Sequence, residues 1–267
     1  DVLAAGSCIE DLIGIAWRWI VERSNADVVR LRHVRADALC HSLLAEHFRR
    51  DGEPGAAPFL DLRSFPTEAA YEARYTKAQR RRRKRQIAAR GRDFESAVER
   101  TLAGKRTWLE QRGLYSRPLA SDRLGAFLQR LAETNGNLRL VTSVLSAGSR
   151  DIAYEVGLRF KGRHYGFITA HDPALTDCSP ARLHMDLSQR RAIQDGLHTF
   201  DFMVPNDPHK ASWSNGMVEV SDQHAPLTTR GRLYATGYLR LLRPVIRRAY
   251  YVAPAAFRRQ VSRLACR

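Results

Sequence analysis

Four strand-like segments, the last of them separated from the others by a helix, constrain the fold of this chain more than any other feature. The first three are residues 138–145, 152–160 and 164–170, which are joined by short turns containing glycine. A helical pattern covers residues 181–195, and residues 199–203 form the fourth segment. Three hairpin-linked strands, a helix and a returning strand predict an α+β fold in which the helix packs against a sheet.

The first half of the chain alternates between helical and strand-like patterns. The predicted elements are helix 10–23, strand 27–34, helix 36–50, a turn at 51–55, strand 59–62, a helix from Thr67, helix 94–111 and helix 121–135. Apolar residues make up 44% of the 267 residues, which is enough for a packed core and excludes a wholly disordered chain.

The chain is strongly basic, with 44 Lys and Arg residues against 28 Asp and Glu residues. This excess favours nucleic acid, anionic lipid or a phosphorylated small molecule as a partner, and it does not choose among them. Nine of the sixteen residues in the segment 77–92 are basic. That segment fits a solvated helix face, a nucleic-acid contact, an anionic-lipid contact or a cradle for an anionic substrate. It contains no aromatic residue, which makes nucleic acid the less favoured partner.

The cysteine pattern and the absence of long apolar runs indicate a cytoplasmic protein. The four cysteines are scattered and form no CxxC pair, so no metal site is expected. No apolar run approaches the roughly 20 residues of a membrane span, and no secretory signal opens the chain.

The basic tail 226–267 fits either short packed helices or a segment lying on a membrane surface. Pro244 and Pro254 interrupt it and favour packing.

Five motifs follow one another within residues 60–215. They are the arginine-rich helix ending in Gly91, the segment Lys105-Arg-Thr-Trp108 before Gly113, the segment Ala170-His-Asp-Pro173, the segment Ser179-Pro-Ala-Arg-Leu183, and Phe200-Asp-Phe202 followed by Asp207-Pro-His-Lys210 and Trp213. Their order and spacing resemble the GNAT acetyltransferases, and in particular the branch of CelD-like cellulose-biosynthesis proteins, which are related in fold to the FemABX transferases.

The resemblance implies a GNAT-like acyl-CoA N-acyltransferase fold, with a mixed or antiparallel sheet flanked by helices. It also implies transfer of an acyl group from an acyl-CoA or acyl carrier protein thioester to an amine, in polysaccharide or lipid modification. Residues 1–92 would be the remnant of a truncated N-terminal GNAT-like half plus the basic helix, residues 93–225 the core, and residues 226–267 a basic tail. The alternative is a non-enzymatic basic module that binds nucleic acid or anionic membrane. The expected location is the cytoplasm, with the periphery of the inner membrane as a further option.

The same resemblance places the coenzyme A pyrophosphate at the start of the helix after Pro180. Ser179 fits the N-cap of that helix and Pro180 its first position. The expected binding residues are Ser179, Ala181, Arg182 and Leu183, with Ala181 standing where the family usually has Gly. The alternative is an ordinary capped helix with an exposed arginine.

Three residues are candidates for accepting the proton of the amine: His171, Asp172 and Asp201. His171 and Asp172 end the third predicted strand, and Asp172 fits equally well an Asp-Pro turn that caps the backbone. Asp201 lies between two phenylalanines on a strand, so it faces away from them and lies either in a polar cleft or beside a cation such as Lys210. Lys210 and Tyr165 are the expected substrate-binding residues, whereas Trp213 is expected in the core.

Overall fold

The computed structural model describes residues 9–38, 40–77, 94–134, 136–254, 256–258 and 260–261. The basic segment 77–92 lies outside the described residues except for Lys77. The described chain forms two compact units. Unit 1 consists of the residues through Pro58, Val204–Ser212 and Gly216–Ala253, and unit 2 of Phe59–Met203, Trp213–Asn215 and the residues from Pro254 onward. The predicted domains were three consecutive segments. The two units differ from them in that the chain returns to unit 1 after residue 203.

Helices and strands alternate along the chain much as the sequence predicts. The strands are β1 (Val28–Arg35), β2 (Arg49–Asp61), β3 (Arg139–Ala147), β4 (Arg150–Phe160), β5 (Arg163–His171), β6 (Thr199–Asp201) and β7 (Gly216–Pro226). The α-helices are α1 (Ile9–Arg23), α2 (His41–His47), α3 (Glu68–Ala73), α4 (Phe94–Gln111), α5 (Arg117–Ala120), α6 (Arg123–Glu133), α7 (Pro180–Gln194), α8 (Pro208–Ala211), α9 (Thr229–Leu233) and α10 (Arg243–Val252). Leu62–Ser64 and Pro173–Cys178 are 3-10 helices, and Tyr234–Leu242 is a π-helix.

The seven strands form one mixed sheet in the order β1-β7-β2-β6-β5-β4-β3. The pairs β1–β7, β2–β6, β3–β4 and β4–β5 are antiparallel, and β5–β6 is parallel. Helices flank this sheet, so the predicted fold class is confirmed. The predicted meander of three strands followed by a helix and a fourth strand is also confirmed, and the fourth strand, β6, is parallel to β5.

In unit 2, helices cover both faces of the meander. On one face, Leu183 of α7 packs with Leu145 and Ala153. On the other face, Val98 and Leu102 of α4 pack with apolar residues of β4 and β5. The alternation of side chains along β4 produces this arrangement, because successive residues point to opposite faces of a strand.

In unit 1, α1 packs its apolar side against the strands β1 and β7. Ile13 lies in a cluster with Leu44, Phe48 and Ala225, and Trp17 contacts its edge. The last helices are consecutive: residues 229–252 run from α9 through the π-helix into α10. Buried Ala235 and Leu239 lie on the inner side of this run. No helix in the described ranges is both long and apolar enough to cross a membrane.

Two predictions in unit 1 are wrong. Helix 36–50 is only the short α2, and the turn predicted at 51–55 is the interior of β2. Gly52 and Pro54 caused the error, because these residue types usually interrupt strands. Here β2 pairs with β6 only from Phe59 onward. Before Phe59, β2 therefore forms no described backbone hydrogen bonds with β6. A proline is tolerated on such an edge, because its missing N–H is not needed there.

Candidate active site

The two parallel strands at the centre of the sheet pair over only three residues and then part. The pairs are Arg163 with Thr199, His164 with Phe200, and Tyr165 with Asp201. Strand β6 ends there, while β5 continues to His171 along β4. The chain then passes through residues 172–179 and enters α7. The helix that connects these two strands thus begins beyond the end of β5 that no longer pairs with β6.

Helix α7 begins with a left-handed residue. Ser179 has φ 52° and ψ 50°, and Pro180 is the first helical residue. The Ser179 carbonyl accepts bonds from the amides of Arg182 and Leu183, at 3.0 and 3.4 Å. The hydroxyl cap expected of Ser179 is not formed with any described residue of the helix. A capping residue normally has an extended backbone, and the left-handed conformation replaces that geometry.

The electrostatics of this helix start suit an anion. A left-handed residue followed by a right-handed one turns backbone N–H groups toward a common point. The first turn of α7 carries no acidic residue, and Arg182 is exposed there, while Leu183 is buried and Ala181 is half-buried. The positive end of a 15-residue helix adds to this potential. Pro180 contributes no N–H to this helix start.

A buried polar group fixes the underside of α7 to the sheet. Glu155 of β4 accepts hydrogen bonds through its two carboxylate oxygens, from His164 at 2.6 Å and from Ser188 at 2.7 Å. Burial would raise the pKa of Glu155, but the hydrogen bond and charge of His164, with further contributions from His184 and Ser188, lower the pKa to about 2. Glu155 is therefore an ionised, fully paired carboxylate inside unit 2.

A second polar contact lies one turn nearer the start of α7. His184 Nε2 is 2.8 Å from the Ser143 hydroxyl on β3. Burial lowers the pKa of His184, and the charge of Glu155 opposes this effect. His184 and Ser188 are four residues apart, so they project from the same side of α7. This group was not predicted from the sequence, although two polar residues at helical spacing on a buried face were the available signal.

His171 is the last residue of β5 and is half-buried. Burial lowers the pKa of its imidazole, and the positive charges of Arg112 and Lys105 lower it further, against the opposing charge of Asp172. The ring is consequently neutral at neutral pH and can accept a proton. A neutral imidazole is a form that accepts a proton, as the predicted role requires.

Asp172 adopts the turn geometry that was the alternative to a catalytic role. Its Oδ1 accepts a hydrogen bond from the Ala174 amide at 3.0 Å, and its Oδ2 pairs with Arg150. The hydrogen bond from the Ala174 amide, followed by the contact with Arg150, holds the pKa of this carboxyl below its usual range. A carboxylate stabilised in this way is a weak base.

Asp201 and Tyr165 are brought together at the last pair before the strands part. Asp201 is 1% exposed, and its Oδ1 accepts from the Met203 amide at 2.8 Å. Arg163 Nη1 lies 3.7 Å from its other oxygen, so a cation partner is present as expected, although it is an arginine of β5.

Lys210 lies in α8 of unit 1, where its backbone amide donates to Asp207 at 2.9 Å. Trp213 is 5% exposed and packs in the core of unit 2, as expected. The substrate-binding role of Lys210 stays a prediction.

Unit 1 contains a cavity of about 610 Å³ that the sequence did not predict. Its charged lining includes His33, Asp51, Asp222 and arginines of α10. None of the predicted site residues lines it. Its residues are distant in the sequence, so only their assembly by the fold reveals the cavity.

A mixed sheet whose central parallel strands part near the start of a helix is the arrangement of the GNAT class of acyltransferases. The chain belongs to this family, because the model described as "Acetyltransferase (GNAT) domain" matches residues 72–211, more than half of the chain. The predicted enzyme class is thereby confirmed. No curated protein matches the sequence at a significant level.

Solved structures share this fold at low sequence identity. FemX is 12% identical with a TM-score of 0.62, covering 85% of this chain and 78% of that chain. The C-terminal domain of a protein described as a lysylphosphatidylglycerol synthetase from Agrobacterium fabrum is 12% identical with a TM-score of 0.58, covering 85% and 76%. A conserved protein of unknown function from Bacteroides thetaiotaomicron is 12% identical with a TM-score of 0.53, covering 83% and 77%.

Proposed function

We propose that this protein transfers an acyl group from a coenzyme A or acyl carrier protein thioester to an amine. The observation that carries the proposal is the start of α7, where a left-handed Ser179 and an acid-free first turn follow the parting of β5 and β6. Such a helix start attracts a phosphate group. The residues present thus fit the pyrophosphate or phosphopantetheine end of the donor.

The residues of the helix start have separate roles in this proposal. The amides of Ser179 and Ala181 donate hydrogen bonds to phosphate oxygens, and the exposed Arg182 supplies a charge-assisted bond. Leu183 is buried with Leu145 and Ala153 and holds the first turn against the sheet. The methyl group of Ala181 makes the approach of a phosphate less close than a glycine would allow.

The proposed chemistry requires one new bond and two proton movements. The amine nitrogen attacks the thioester carbonyl carbon, the C–N bond forms, and the C–S bond breaks. His171 accepts the proton of the amine, directly or through water, and the departing thiolate takes a proton from solvent or from Tyr165. Before the attack, Asp201 positions the amine next to the end of β6, and Asp201 is itself held by Met203 and Arg163. Asp172 shapes the turn that follows His171.

The acceptor is proposed to be an amine on a lipid or saccharide. The support is the resemblance to CelD-like proteins, together with the fold shared with FemX and with a domain of a protein described as a lysylphosphatidylglycerol synthetase. The proposed setting is the cytoplasm at the periphery of the inner membrane.

Ligand-dependent stabilisation tests the donor site. We expect coenzyme A to raise the Tm of the wild-type protein, because a ligand that binds only the folded state stabilises it. Arg182→Ala removes the phosphate contact and reduces this shift. Arg191→Ala is the matched control, because Arg191 is an exposed arginine of the same helix that pairs with Asp195 at the opposite end. Equal shifts in both variants would remove Arg182 from the site.

A thiol-release assay with a panel of acyl thioesters and amines tests the reaction itself. Release that depends on both the thioester and the amine supports the proposal. If coenzyme A has no effect on Tm while RNA or anionic vesicles bind with a steep dependence on salt, the protein is a basic binding module.

A further inference from the structure

The outer side of residues 229–252 exposes an unusual amount of apolar surface. Leu241 is 63% exposed, Val245 is 65% exposed and Val252 is 79% exposed. Other apolar or aromatic side chains that are exposed in this run are Leu233, Tyr234, Tyr238, Leu242, Ile246 and Tyr251. A soluble protein rarely leaves such a contiguous patch uncovered unless the patch binds something.

The inner side of the same run is anchored in unit 1. Gly231, Ala235 and Leu239 are buried at intervals of four residues. A Cβ atom at Gly231 would lie 1.9 Å from the Asp27 carbonyl oxygen, so α9 lies directly against that backbone. Arg243 follows one turn later and pairs with Asp51 at 2.9 Å. The exposed apolar side chains are therefore held by a packed helix.

The charge of this part of the chain is of one sign. Residues 223–267 contain ten arginines and no aspartate or glutamate. Within residues 229–252, Arg230, Arg232, Arg240, Arg247 and Arg248 are exposed among the apolar side chains. A surface that combines exposed apolar side chains with unopposed arginines complements an anionic lipid bilayer.

The cavity of unit 1 opens beside α10 and contributes to the same surface. Asp51 and Asp222 on its wall are both paired with Arg30, at 2.9 Å in each case. Arg247 and Arg248 line it from α10, and neither forms an ion pair with a described residue. Two of the three acidic residues of the lining are thus neutralised, and the third, Glu53, is exposed. The exposed guanidinium groups of Arg247 and Arg248 remain available for a phosphate.

We propose that residues 229–252 dock this protein on an anionic phospholipid surface, with a headgroup phosphate bound by Arg247 and Arg248 at the cavity. The exposed apolar side chains enter the interfacial region, and the remaining arginines contact neighbouring headgroups. Apolar insertion and electrostatic attraction act together, which is the combination that gives stable peripheral binding. This proposal does not depend on the acyl-transfer reaction.

Co-sedimentation of the full chain with vesicles tests the docking. We expect binding to vesicles that contain phosphatidylglycerol, much weaker binding to pure phosphatidylcholine, and loss of binding at high salt. The double variant R247A/R248A should lower the partition coefficient roughly 25-fold at low salt, since each basic residue near an anionic surface contributes about fivefold. R123A/R130A, which removes two exposed arginines of α6, is the control and should bind as the wild type does.

The apolar contribution is tested separately. L241S/V245S should weaken vesicle binding, while F127S, a change at a 57% exposed side chain of α6, should not. Soluble glycerol phosphate distinguishes a free phosphate ligand from a lipid: if it raises Tm through Arg247 and Arg248 while vesicles fail to bind, lipid docking is wrong. Self-association that L241S/V245S abolishes, without vesicle binding, would also overturn the proposal, because a second copy would then cover the patch.

Discussion

Glu155 Oε1 and His164 Nε2 lie 2.6 Å apart on neighbouring strands, beneath the middle of α7. Ser188 of α7 donates to the other oxygen of Glu155, which links the helix to this pair. The contact matters for function because α7 carries the proposed phosphate site at its first turn. Movement of the helix on the sheet would displace the amides that the donor requires.

Because Glu155 is ionised, the unfolding free energy of unit 2 should decrease as the pH falls. Its pKa falls from 4.5 to about 2 on folding, so its stabilising effect is complete above pH 4.5 and is lost as the pH falls toward 2. This lowering of the pKa corresponds to about 3 kcal/mol of unfolding free energy. We expect the difference in unfolding free energy between the wild type and Glu155→Gln to shrink between pH 6 and pH 3 in urea denaturation. A constant difference would contradict an ionised, paired Glu155.

Gly157 should tolerate no side chain. A Cβ atom there would lie 2.7 Å from His164 Cε1, and the ring is held by Glu155 and stacked on Phe200. Gly157→Ala should therefore destabilise the protein by about 1–3 kcal/mol in urea denaturation. Gly14→Ala in α1 is the control: nothing lies within 4 Å of its Cβ position, so it should stabilise the helix by about 1 kcal/mol. Equal effects at the two sites would show that the His164 ring can move aside.

The rate of acyl transfer should follow the titration of His171. Burial and the charges of Arg112 and Lys105 lower its pKa from 6.5, so the imidazole is deprotonated and active above a midpoint that lies below pH 6.5. We expect kcat/KM to rise with pH through that midpoint and then to level off. His171→Gln should abolish this limb and lower the rate by about 10²-fold or more. A midpoint above 6.5, or an unchanged rate in the variant, would remove His171 from the mechanism.

The phenol of Tyr71 should stabilise the middle of α7. Its Oη lies 2.8 Å from Asp186 Oδ1 and 2.7 Å from Gln189 Oε1, in a fully buried position. Burial and the charge of Asp186 raise the pKa of Tyr71, so it stays neutral. Tyr71→Phe should cost about 1–3 kcal/mol by thermal denaturation, because the buried group that accepts the single hydroxyl hydrogen of Tyr71 loses this donor. A Tm equal to that of the wild type would show that other groups replace it.

Much of the fold follows from local sequence patterns. The α4 helix and the meander of β3, β4 and β5 were predicted within a few residues, because their apolar periodicities are regular and their turns contain glycine. Strand β7 was not predicted. Its central residues include Asp222, Gln223 and His224, which are paired or buried only once β1 lies beside them. Long-range pairing of this kind leaves no local signal.

The candidate site was predictable where it depends on position along the chain. The strand β5, the helix start at Ser179 and the place of Asp201 on a strand could all be inferred from spacing and resemblance. The left-handed conformation of Ser179 could not, since serine normally caps through its side chain. The contact between Arg163 and Asp201 was also missed, because it depends on the register of two parallel strands.

The interleaved units limit how the protein can be dissected. Strand β2 crosses the boundary between Pro58 and Phe59, and the short segments Val204–Ser212 and Trp213–Asn215 belong to different units. A stop codon or a new start codon at any one position therefore leaves at least one unit without some of its strands or helices. Genetic separation of the two would require rejoining distant segments with designed linkers, so point substitutions in the full chain are the appropriate way to assign roles to each unit.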